Sequence, residues 1–118
     1  MGDVPRRVEK PWGHELIWAH SDRYVGKILH VKAGHLLSIQ YHNLKDETMH
    51  VLSGELILRI WPERDARPVE RAFLAGESVH IPAPTIHQIE AVTDSDVLEA
   101  STPELDDLVR ITDRYGRS

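Results

Sequence analysis

The chain has 118 residues, 41% of them apolar, which suits one domain, residues 1–118, with one core. Its net charge of −5 and the lack of a continuous basic segment argue against nucleic-acid binding. Because cysteine is absent, disulfides, thiolate metal ligands and cysteine nucleophiles are excluded, and because no apolar run is long enough to cross a membrane, we expect a cytoplasmic protein.

Short apolar runs, separated by turn-forming residues, recur in order along the chain. The breaks fall at Lys10-Pro11, Ala33-Gly34, Ser53-Gly54, Ala75-Gly76 and Pro82-Ala83-Pro84. Residues 25–31 alternate with a period of two, as expected of a strand with one buried face. Ser53-Gly54 lies between two such runs and predicts a tight hairpin in which Gly54 supplies a positive φ.

Helical periodicity is weak and confined to residues 104–109, where the apolar side chains suit a strand equally well. The chain therefore predicts an all-β fold of about eight to eleven short strands with almost no helix. Closure into a β-barrel or double-sheet jelly roll is the usual way in which such a fold protects its sheet edges.

Four potential metal ligands occur at ordered spacings. Gln40 and His42 are two apart in an extended run, so both point to one face with Cα atoms about 6.7 Å apart. Glu47 shares the parity of apolar positions 49 and 51, and His87 shares that of positions 89 and 91. An inward carboxylate needs a partner, and a metal ion is one. On spacing alone, these residues also fit a polar strand face, a solvated glutamate and a loop histidine.

The arrangement of these residues among glycines resembles the two cupin motifs. The first motif, about residues 34–54, contains Gly34, Gln40, His42, Glu47 and Gly54, and the second, about residues 76–91, contains Gly76, Pro82, Pro84 and His87. Cupins ordinarily carry histidine at the position of Gln40 and glycine at that of Pro84. The resemblance implies a single-domain cupin, a double-stranded β-helix or jelly-roll barrel.

Glutamine at the first motif position resembles the mannose-6-phosphate isomerase branch of the cupins. Residues 10–15, 37–42, 45–49 and 101–107 agree with that branch, and the likeness runs from about residue 8 to residue 116. The chain is similar to the barrel that elsewhere forms the C-terminal part of type II phosphomannose isomerase/guanylyltransferase proteins. Without the nucleotidyltransferase part, no guanylyltransferase activity is implied.

The resemblance implies one divalent metal ion on Gln40, His42, Glu47 and His87. Family likeness favours zinc, and these ligands also suit manganese, iron, cobalt or nickel. The implied reaction interconverts mannose 6-phosphate and fructose 6-phosphate by moving a proton between C1 and C2 through an enediol, with the metal as Lewis acid.

Three residues are candidates for binding the substrate or its phosphate. Lys45 lies in the turn between two of the ligands, Arg59 lies mid-strand and could face the interior or solvent, and Gln88 stands where related barrels often carry arginine. The catalytic base is unknown, with His50 and His14 as candidates, although His50 has parity opposite to Glu47.

Two other classes of function remain open. One is a metal-holding module that binds a carbohydrate or nucleotide sugar without turnover, which glutamine at position 88 favours. The other is a different metallo-cupin enzyme such as a dioxygenase, which Gln40 disfavours because oxygenase sites usually take more nitrogen ligands. An empty vestigial site ranks last. We expect a small-molecule sugar phosphate or nucleotide sugar as partner, no nucleic acid or membrane, and a homodimer in which residues 4–10 take part, by analogy with small cupins.

Overall fold

A computed structural model describes residues 4–117, and all of their regular structure is β-strand. The eleven strands are β1 (Arg6–Lys10), β2 (Gly13–His20), β3 (Val25–Val31), β4 (Ile39–Tyr41), β5 (Glu47–Ser53), β6 (Glu55–Trp61), β7 (Val69–Leu74), β8 (Ser78–Ile81), β9 (Ile86–Ala91), β10 (Ser95–Ser101) and β11 (Val109–Thr112). The predicted all-β fold class is confirmed. This part of the chain contains no helix capable of spanning a membrane.

The strands form two antiparallel sheets. One has six strands in the order β1-β2-β3-β10-β5-β8, and the other has five in the order β11-β4-β9-β6-β7. Because β10 is inserted between β3 and β5, and β9 between β4 and β6, the chain crosses repeatedly from one sheet to the other. This winding is that of a jelly roll.

Alternate residues of both sheets build the core. Val31, Val51 and Val97 of the six-stranded sheet and Leu56, Leu58 and Phe73 of the five-stranded sheet are all 0% exposed. Burying a side chain of this kind stabilises the fold by about 1.5–3 kcal/mol. The alternation predicted for residues 25–31 is confirmed, since β3 buries every second residue throughout.

The turn predicted at Ser53-Gly54 is confirmed, but the predicted hairpin is wrong, because β5 and β6 do not pair with each other and lie in different sheets. Gly54 has φ of 93°, a left-handed conformation that glycine adopts without cost. A Cβ atom at this position would collide with the Asp94 carbonyl oxygen and the Ser95 side chain. This turn carries the chain from one sheet to the other and packs directly against the start of β10.

The inward-facing rows of the six-stranded sheet also carry charged residues. Lys27 of β3 and Glu99 of β10 are 7% and 6% exposed and are register partners, although both lie on the face that buries the apolar side chains. Glu47 opens β5 on that same face and is 3% exposed. The interior is therefore divided into an apolar part and a polar part, and the polar part contains the candidate site.

Candidate metal centre

Three buried side chains converge between the two sheets. His42 directly follows β4, Glu47 is the first residue of β5, and His87 is the second residue of β9. His42 Nε2 lies 3.2 Å and His87 Nε2 lies 3.1 Å from the same carboxylate oxygen, Glu47 Oε1. One potential ligand atom from each residue falls within 4.8 Å of the others. These three residues could hold a metal ion.

The hydrogen bonds behind the two imidazoles fix which nitrogen faces the cluster. His42 Nδ1 donates to the Asp107 carbonyl oxygen at 2.5 Å, and His87 Nδ1 donates to the Thr85 carbonyl oxygen at 2.8 Å. A carbonyl only accepts, so each Nδ1 carries a proton, and each Nε2 is protonated when it donates to Glu47 and bare when its ring is neutral. With both rings neutral, two bare nitrogens and a carboxylate oxygen repel one another unless a cation lies among them. The donor set therefore fits a divalent metal ion.

The charges of the centre alter its pKa values. Burial raises the pKa of Glu47, but hydrogen bonds from His42, His87 and Glu99 and the charge of Lys45 outweigh it and hold the pKa well below its usual range. Burial lowers the pKa of His42, but the hydrogen bond and charge of Glu47 and the Asp107 carbonyl outweigh it, for a net rise. Glu47 is thus an anion that attracts either a proton or a metal ion to the histidines.

Gln40 lies beside this cluster. It is the register partner of His87 across β4 and β9, so their side chains share a face. Its Oε1 accepts a hydrogen bond from Ser38 Oγ at 2.8 Å, and the residue lines the same cavity as His42. The strand register thus brings Gln40 beside His87, and the assignment of Gln40 as a fourth ligand stays a prediction.

Asp107 holds the loop between His42 and Glu47 in place. Its carboxylate accepts backbone N–H groups of Asn43, Leu44 and Lys45 at 3.0, 2.6 and 2.9 Å. These three hydrogen bonds lower the pKa of Asp107 to about 2. Since the carbonyl of the same residue orients His42, one residue positions both the loop and a ligand.

An open cavity of about 100 Å³ adjoins His42 and Gln40. Its charged lining consists of Lys10, Lys27, Lys45, Arg110, Arg117, Glu15 and Glu99. The lysines and glutamates alternate as a ladder that begins at Glu47, with N–O distances of 3.5 Å (Lys45–Glu47), 3.1 Å (Lys45–Glu99), 3.8 Å (Lys27–Glu99), 3.0 Å (Lys27–Glu15) and 3.6 Å (Lys10–Glu15). The ladder connects the candidate ligands to the rest of the cavity.

Glu99 is the most strongly shifted carboxyl group of the cavity wall. Burial and the nearby charge of Glu47 raise its pKa to about 7, although Lys45 and Lys27 pull in the opposite direction. Burial lowers the pKa of Lys45, and the charges of Glu99 and Glu47 more than reverse this, so the pKa is raised. Lys45 is therefore a buried ammonium shared by two carboxylates.

The predicted substrate-binding residues fall into two groups. Lys45 is buried in the cavity wall, where its chain position suggested. Arg59 and Gln88 lie on the outer face of the five-stranded sheet, where Arg59 Nη1 donates to Gln88 Oε1 at 3.1 Å and Gln88 Nε2 donates to the Leu37 carbonyl at 2.9 Å. Their strand parity turns them away from the cavity, which corrects the expectation that they meet a substrate there.

The two histidines considered as bases also lie outside the cavity. His50 pairs with Ser78 Oγ at 2.7 Å on the outer side of β5, in agreement with its parity. His14 stacks on His30, with ring centroids 5.1 Å apart. Neither residue lines the cavity, and this corrects the expectation that one of them serves as the base.

Sequence reasoning missed several charged residues of the cavity. Lys10, Lys27, Glu15, Glu99, Arg110 and Arg117 were not singled out. Alternation could have indicated two of them, since Lys27 shares the parity of Val25 and Leu29, and Glu99 shares that of Val97. No local signal marks Arg110, because its position depends on pairing between β11 and β4, and Arg117 follows β11 and pairs with Asp113.

Comparison with known proteins places this geometry in context. The family model described as "Mannose-6-phosphate isomerase C-terminal" matches residues 2–113. The mannose-1-phosphate guanylyltransferase of Escherichia coli K12 is 34% identical over 97% of this chain and 24% of its own length. Mannose-1-phosphate guanylyltransferase ManC of Salmonella typhimurium is 33% identical over 95% of this chain and 23% of its length. The chain thus spans about a quarter of the length of the curated relatives that it matches.

Solved structures share the fold. An oxalate decarboxylase variant of Bacillus subtilis superposes with a TM-score of 0.76 at 13% identity, over 97% of this chain and 32% of its own. KdgF from Halomonas sp. gives 0.70 at 20% identity, over 88% and 91% of the two chains. The capsular polysaccharide assembling protein CapF from Staphylococcus aureus gives 0.70 at 21% identity, over 96% and 32%. These neighbours are cupins, and they confirm the cupin fold.

Proposed function

The chain belongs to the mannose-6-phosphate isomerase C-terminal family of cupins, and from this premise we propose that it is a metal-dependent sugar-phosphate isomerase. The proposed reaction interconverts mannose 6-phosphate and fructose 6-phosphate by proton transfer between C1 and C2. The observation that carries the proposal is the buried cluster of His42, Glu47 and His87, with both Nε2 atoms directed at one carboxylate oxygen beside a charged cavity.

Gln40, His42, Glu47 and His87 would hold the metal ion. When bound, the ion supplies Lewis-acid polarisation of substrate oxygens. Zinc suits two imidazoles, a carboxylate and an amide oxygen, and manganese, iron, cobalt and nickel suit them as well. Manganese has a precedent in this fold, since the oxalate decarboxylase of Bacillus subtilis has Mn(II) centres.

The proton transfer requires a group that faces the cavity. The lining carboxylates, Glu15 and Glu99, meet this requirement, whereas His14 and His50 do not. Glu99 shares the ammonium of Lys45 with the ligand Glu47, so it is the carboxylate linked most directly to the ligand cluster. Position therefore favours Glu99 as the base, and Lys45 as the donor that holds Glu99 and a substrate oxygen together.

A second candidate function is supported by the relatives. They are named for guanylyl transfer, and the chain matches about a quarter of their length. A domain of this kind could bind a sugar phosphate or nucleotide sugar through the same metal and cavity without turning it over. A cytoplasmic location and a homodimer remain predictions. The exposed side chain of Val4, next to the edge strand β1, is compatible with the second.

Isomerisation in heavy water tests the two functions against each other. Mannose 6-phosphate is incubated with chain loaded separately with Zn²⁺, Mn²⁺, Fe²⁺, Co²⁺ or Ni²⁺, and NMR follows the formation of fructose 6-phosphate and the deuterium that it gains at C1. The isomerase predicts both signals, and predicts their loss in His87→Ala but not in His50→Ala. Binding of mannose 6-phosphate with neither signal under any metal would refute the isomerase in favour of the binding module. Metal-dependent dioxygen uptake would instead indicate an oxygenase.

A further inference from the structure

A row of ionisable side chains crosses the outer face of the six-stranded sheet, on the side away from the cavity. His14 of β2 is the register partner of His30 of β3, and His30 is the register partner of Asp96 of β10. At the other end of the row, Glu9 of β1 is the register partner of His14. Register partners direct their side chains to one face, and these positions alternate with the inward positions of their strands. The row therefore places two imidazoles side by side between two carboxylates.

The two imidazoles of this row are in direct contact. The ring centroids of His14 and His30 lie 5.1 Å apart, and the ring planes are inclined by 24°. A metal ion lies about 2.0–2.1 Å from each imidazole nitrogen that binds it, so two such nitrogens are at most about 4 Å apart. Rings on neighbouring strands at this separation can each turn one nitrogen toward a shared ion. Within residues 4–117, neither nitrogen of His14 is hydrogen-bonded, so both are available to an ion.

Asp96 determines which nitrogen of His30 is available. His30 Nδ1 donates to Asp96 Oδ1 at 2.8 Å, and Ser53 Oγ donates to Asp96 Oδ2 at 3.4 Å. An ionised carboxylate only accepts, so Nδ1 carries a proton, and Nε2 is bare when the ring is neutral. A carboxylate behind a histidine in this way is the usual arrangement at metal sites, where it fixes the tautomer and makes the ligand more basic. His30 is thus held in the form that binds a metal ion through Nε2.

The charges around the row suit a cation better than a proton. Burial and the charges of Arg7 and His30 lower the pKa of His14, although Glu9 and Asp96 pull in the opposite direction. At neutral pH, protons therefore compete less for this ring than for an ordinary histidine. The two carboxylates give the row two negative charges against the one positive charge of Arg7, whose Nε pairs with Glu9 at 2.6 Å.

We propose that His14 and His30 form a second, open metal site on the outer face of the six-stranded sheet, with Asp96 as the residue that positions His30. The ligand is a divalent transition-metal ion that accepts nitrogen donors, such as zinc, copper or nickel. Two imidazoles hold the ion, and water completes its coordination. Because the protein supplies only two ligands at a partly exposed position, the site releases its ion on desalting, unlike the buried centre. The proposal does not depend on the proposed isomerase activity.

Calorimetric titration with Zn²⁺ tests the site. The chain is first exchanged with excess Zn²⁺ and desalted, so that any tightly held ion is already in place and further uptake is not displacement. Wild type should bind one further Zn²⁺ per chain. His14→Gln and His30→Gln should each weaken this binding about tenfold or more, since removal of a ligand costs at least as much as removal of a residue that supports one.

His80→Gln is the matched control for these variants. His80 also lies on the outer face of the sheet and pairs with a carboxylate, that of Asp46, at 2.6 Å. Within the part of the chain that the structure describes, no second imidazole stacks on it. The control should therefore bind the further Zn²⁺ with wild-type affinity.

Asp96→Ala tests the positioning role separately from the stability of the fold. It should weaken the further Zn²⁺ about tenfold, as removal of a residue behind a metal ligand predicts. Before the further Zn²⁺ is added, ¹⁵N NMR of the imidazoles should show His30 changing from one tautomer, protonated at Nδ1, to a mixture of two. Weakened binding with an unchanged tautomer would overturn the positioning role.

The same NMR measurement on wild type needs no substitution. Added Zn²⁺ should shift Nε2 of His30 and one nitrogen of His14, and it should leave the rings of His20 and His80 unchanged. Equal shifts at all four rings would indicate adventitious binding to surface histidines and overturn the site.

The outcomes also separate this site from the buried centre. Retention of the further Zn²⁺ in His42→Ala supports two independent sites, whether or not the chain isomerises mannose 6-phosphate. Failure of wild type to bind a further Zn²⁺ overturns the second site and leaves the buried centre untouched. Unchanged affinity in both His14→Gln and His30→Gln, or equal weakening in His80→Gln, likewise overturns it.

Discussion

The Nδ1 hydrogen bonds of His42 and His87 decide which ring nitrogen is available to a cation. Each Nδ1 is bonded to a backbone carbonyl, so Nε2 of each ring is either bare or protonated. A metal ion and a proton therefore compete for the same atoms, facing the same oxygen of Glu47.

This competition predicts loss of metal in mild acid. Burial lowers the pKa of His42, but Glu47 and the Asp107 carbonyl raise it above its ordinary value, so the ring takes up a proton at higher pH than an exposed histidine. The population of protonated His42 increases as the pH falls through that pKa. Bound metal should therefore decrease as the pH is lowered from about 7.5 to about 4.5. Metal content after dialysis at each pH measures this. Retention that is the same at both ends would contradict the assigned ligands.

Lys45 gives a second prediction at this scale. Lys45→Met should lower the free energy of unfolding by about 3 kcal/mol, because it leaves the buried Glu47 and Glu99 without their shared cation. Adding Glu99→Gln should recover part of the loss. Urea unfolding measures both variants, with the exposed Lys32→Met as control, for which a change within about 0.5 kcal/mol is expected. If Lys45→Met proves as stable as the Lys32→Met control, the ladder does not stabilise the fold.

Strand parity predicts which face of a sheet a single residue occupies. It placed Glu47 and His87 correctly on the inner face, because each shares the parity of neighbouring apolar residues. The same rule already turns Gln88 outward, directly after the inward His87. Arg59 is outward for the same reason, since it alternates with the buried Leu58. The expected role of Gln88 rests on the arginine that related barrels carry at this position, and that of Arg59 rests on its charge, and neither rests on alternation.

At the scale of elements, turns specify where strands end and which other elements they can approach. Gly54 illustrates both effects, since it combines a φ of 93° with close contact to Asp94 and Ser95 at the start of β10. Its turn therefore connects β5 to β6 and also determines how close β10 comes.

A matched pair of glycine substitutions separates these effects. Gly54→Ala should destabilise the protein by more than Gly76→Ala, because both impose positive φ on alanine, at a cost of about 1–2 kcal/mol, but only position 54 adds a collision. At Gly76 a Cβ would meet nothing within 4 Å. Unfolding midpoints in urea compare the two. An equal loss in both variants would mean that the turn can shift away from β10.

Local patterns predicted the strands and the turn at Gly54, but not which strands pair, and the expected pairing of β5 with β6 is wrong. Nothing in residues 95–101 indicates that β10 lies between β3 and β5. The weak pattern near residues 104–109 leaves helix and strand open, but residues 104–108 form neither, and β11 begins only at Val109, where β4 offers it a free edge. Such pairings depend on segments distant in sequence, and period-two alternation carries no information about partners.

At the scale of the whole molecule, the fold of an acidic chain places an excess of positive charge in its cavity. The chain has a net charge of −5, yet its cavity is lined by more cations than carboxylates. Residues from both ends of the chain contribute, including Lys10 and Arg117, which is why no basic segment is visible in the sequence. A cleft of this charge attracts anions, and the potential is focused by its low-dielectric walls.

Elemental analysis of metal per chain tests most directly whether His42, Glu47 and His87 hold a metal ion. Wild type, His42→Ala and His50→Ala are equilibrated with trace Zn²⁺, Mn²⁺, Fe²⁺ and Ni²⁺ at neutral pH and then desalted. We predict about one ion per chain in wild type and in His50→Ala, whose histidine lies outside the cluster, and a large loss in His42→Ala. The absence of a bound ion in wild type under all of these conditions would contradict the proposed metal centre and remove the basis for isomerase chemistry.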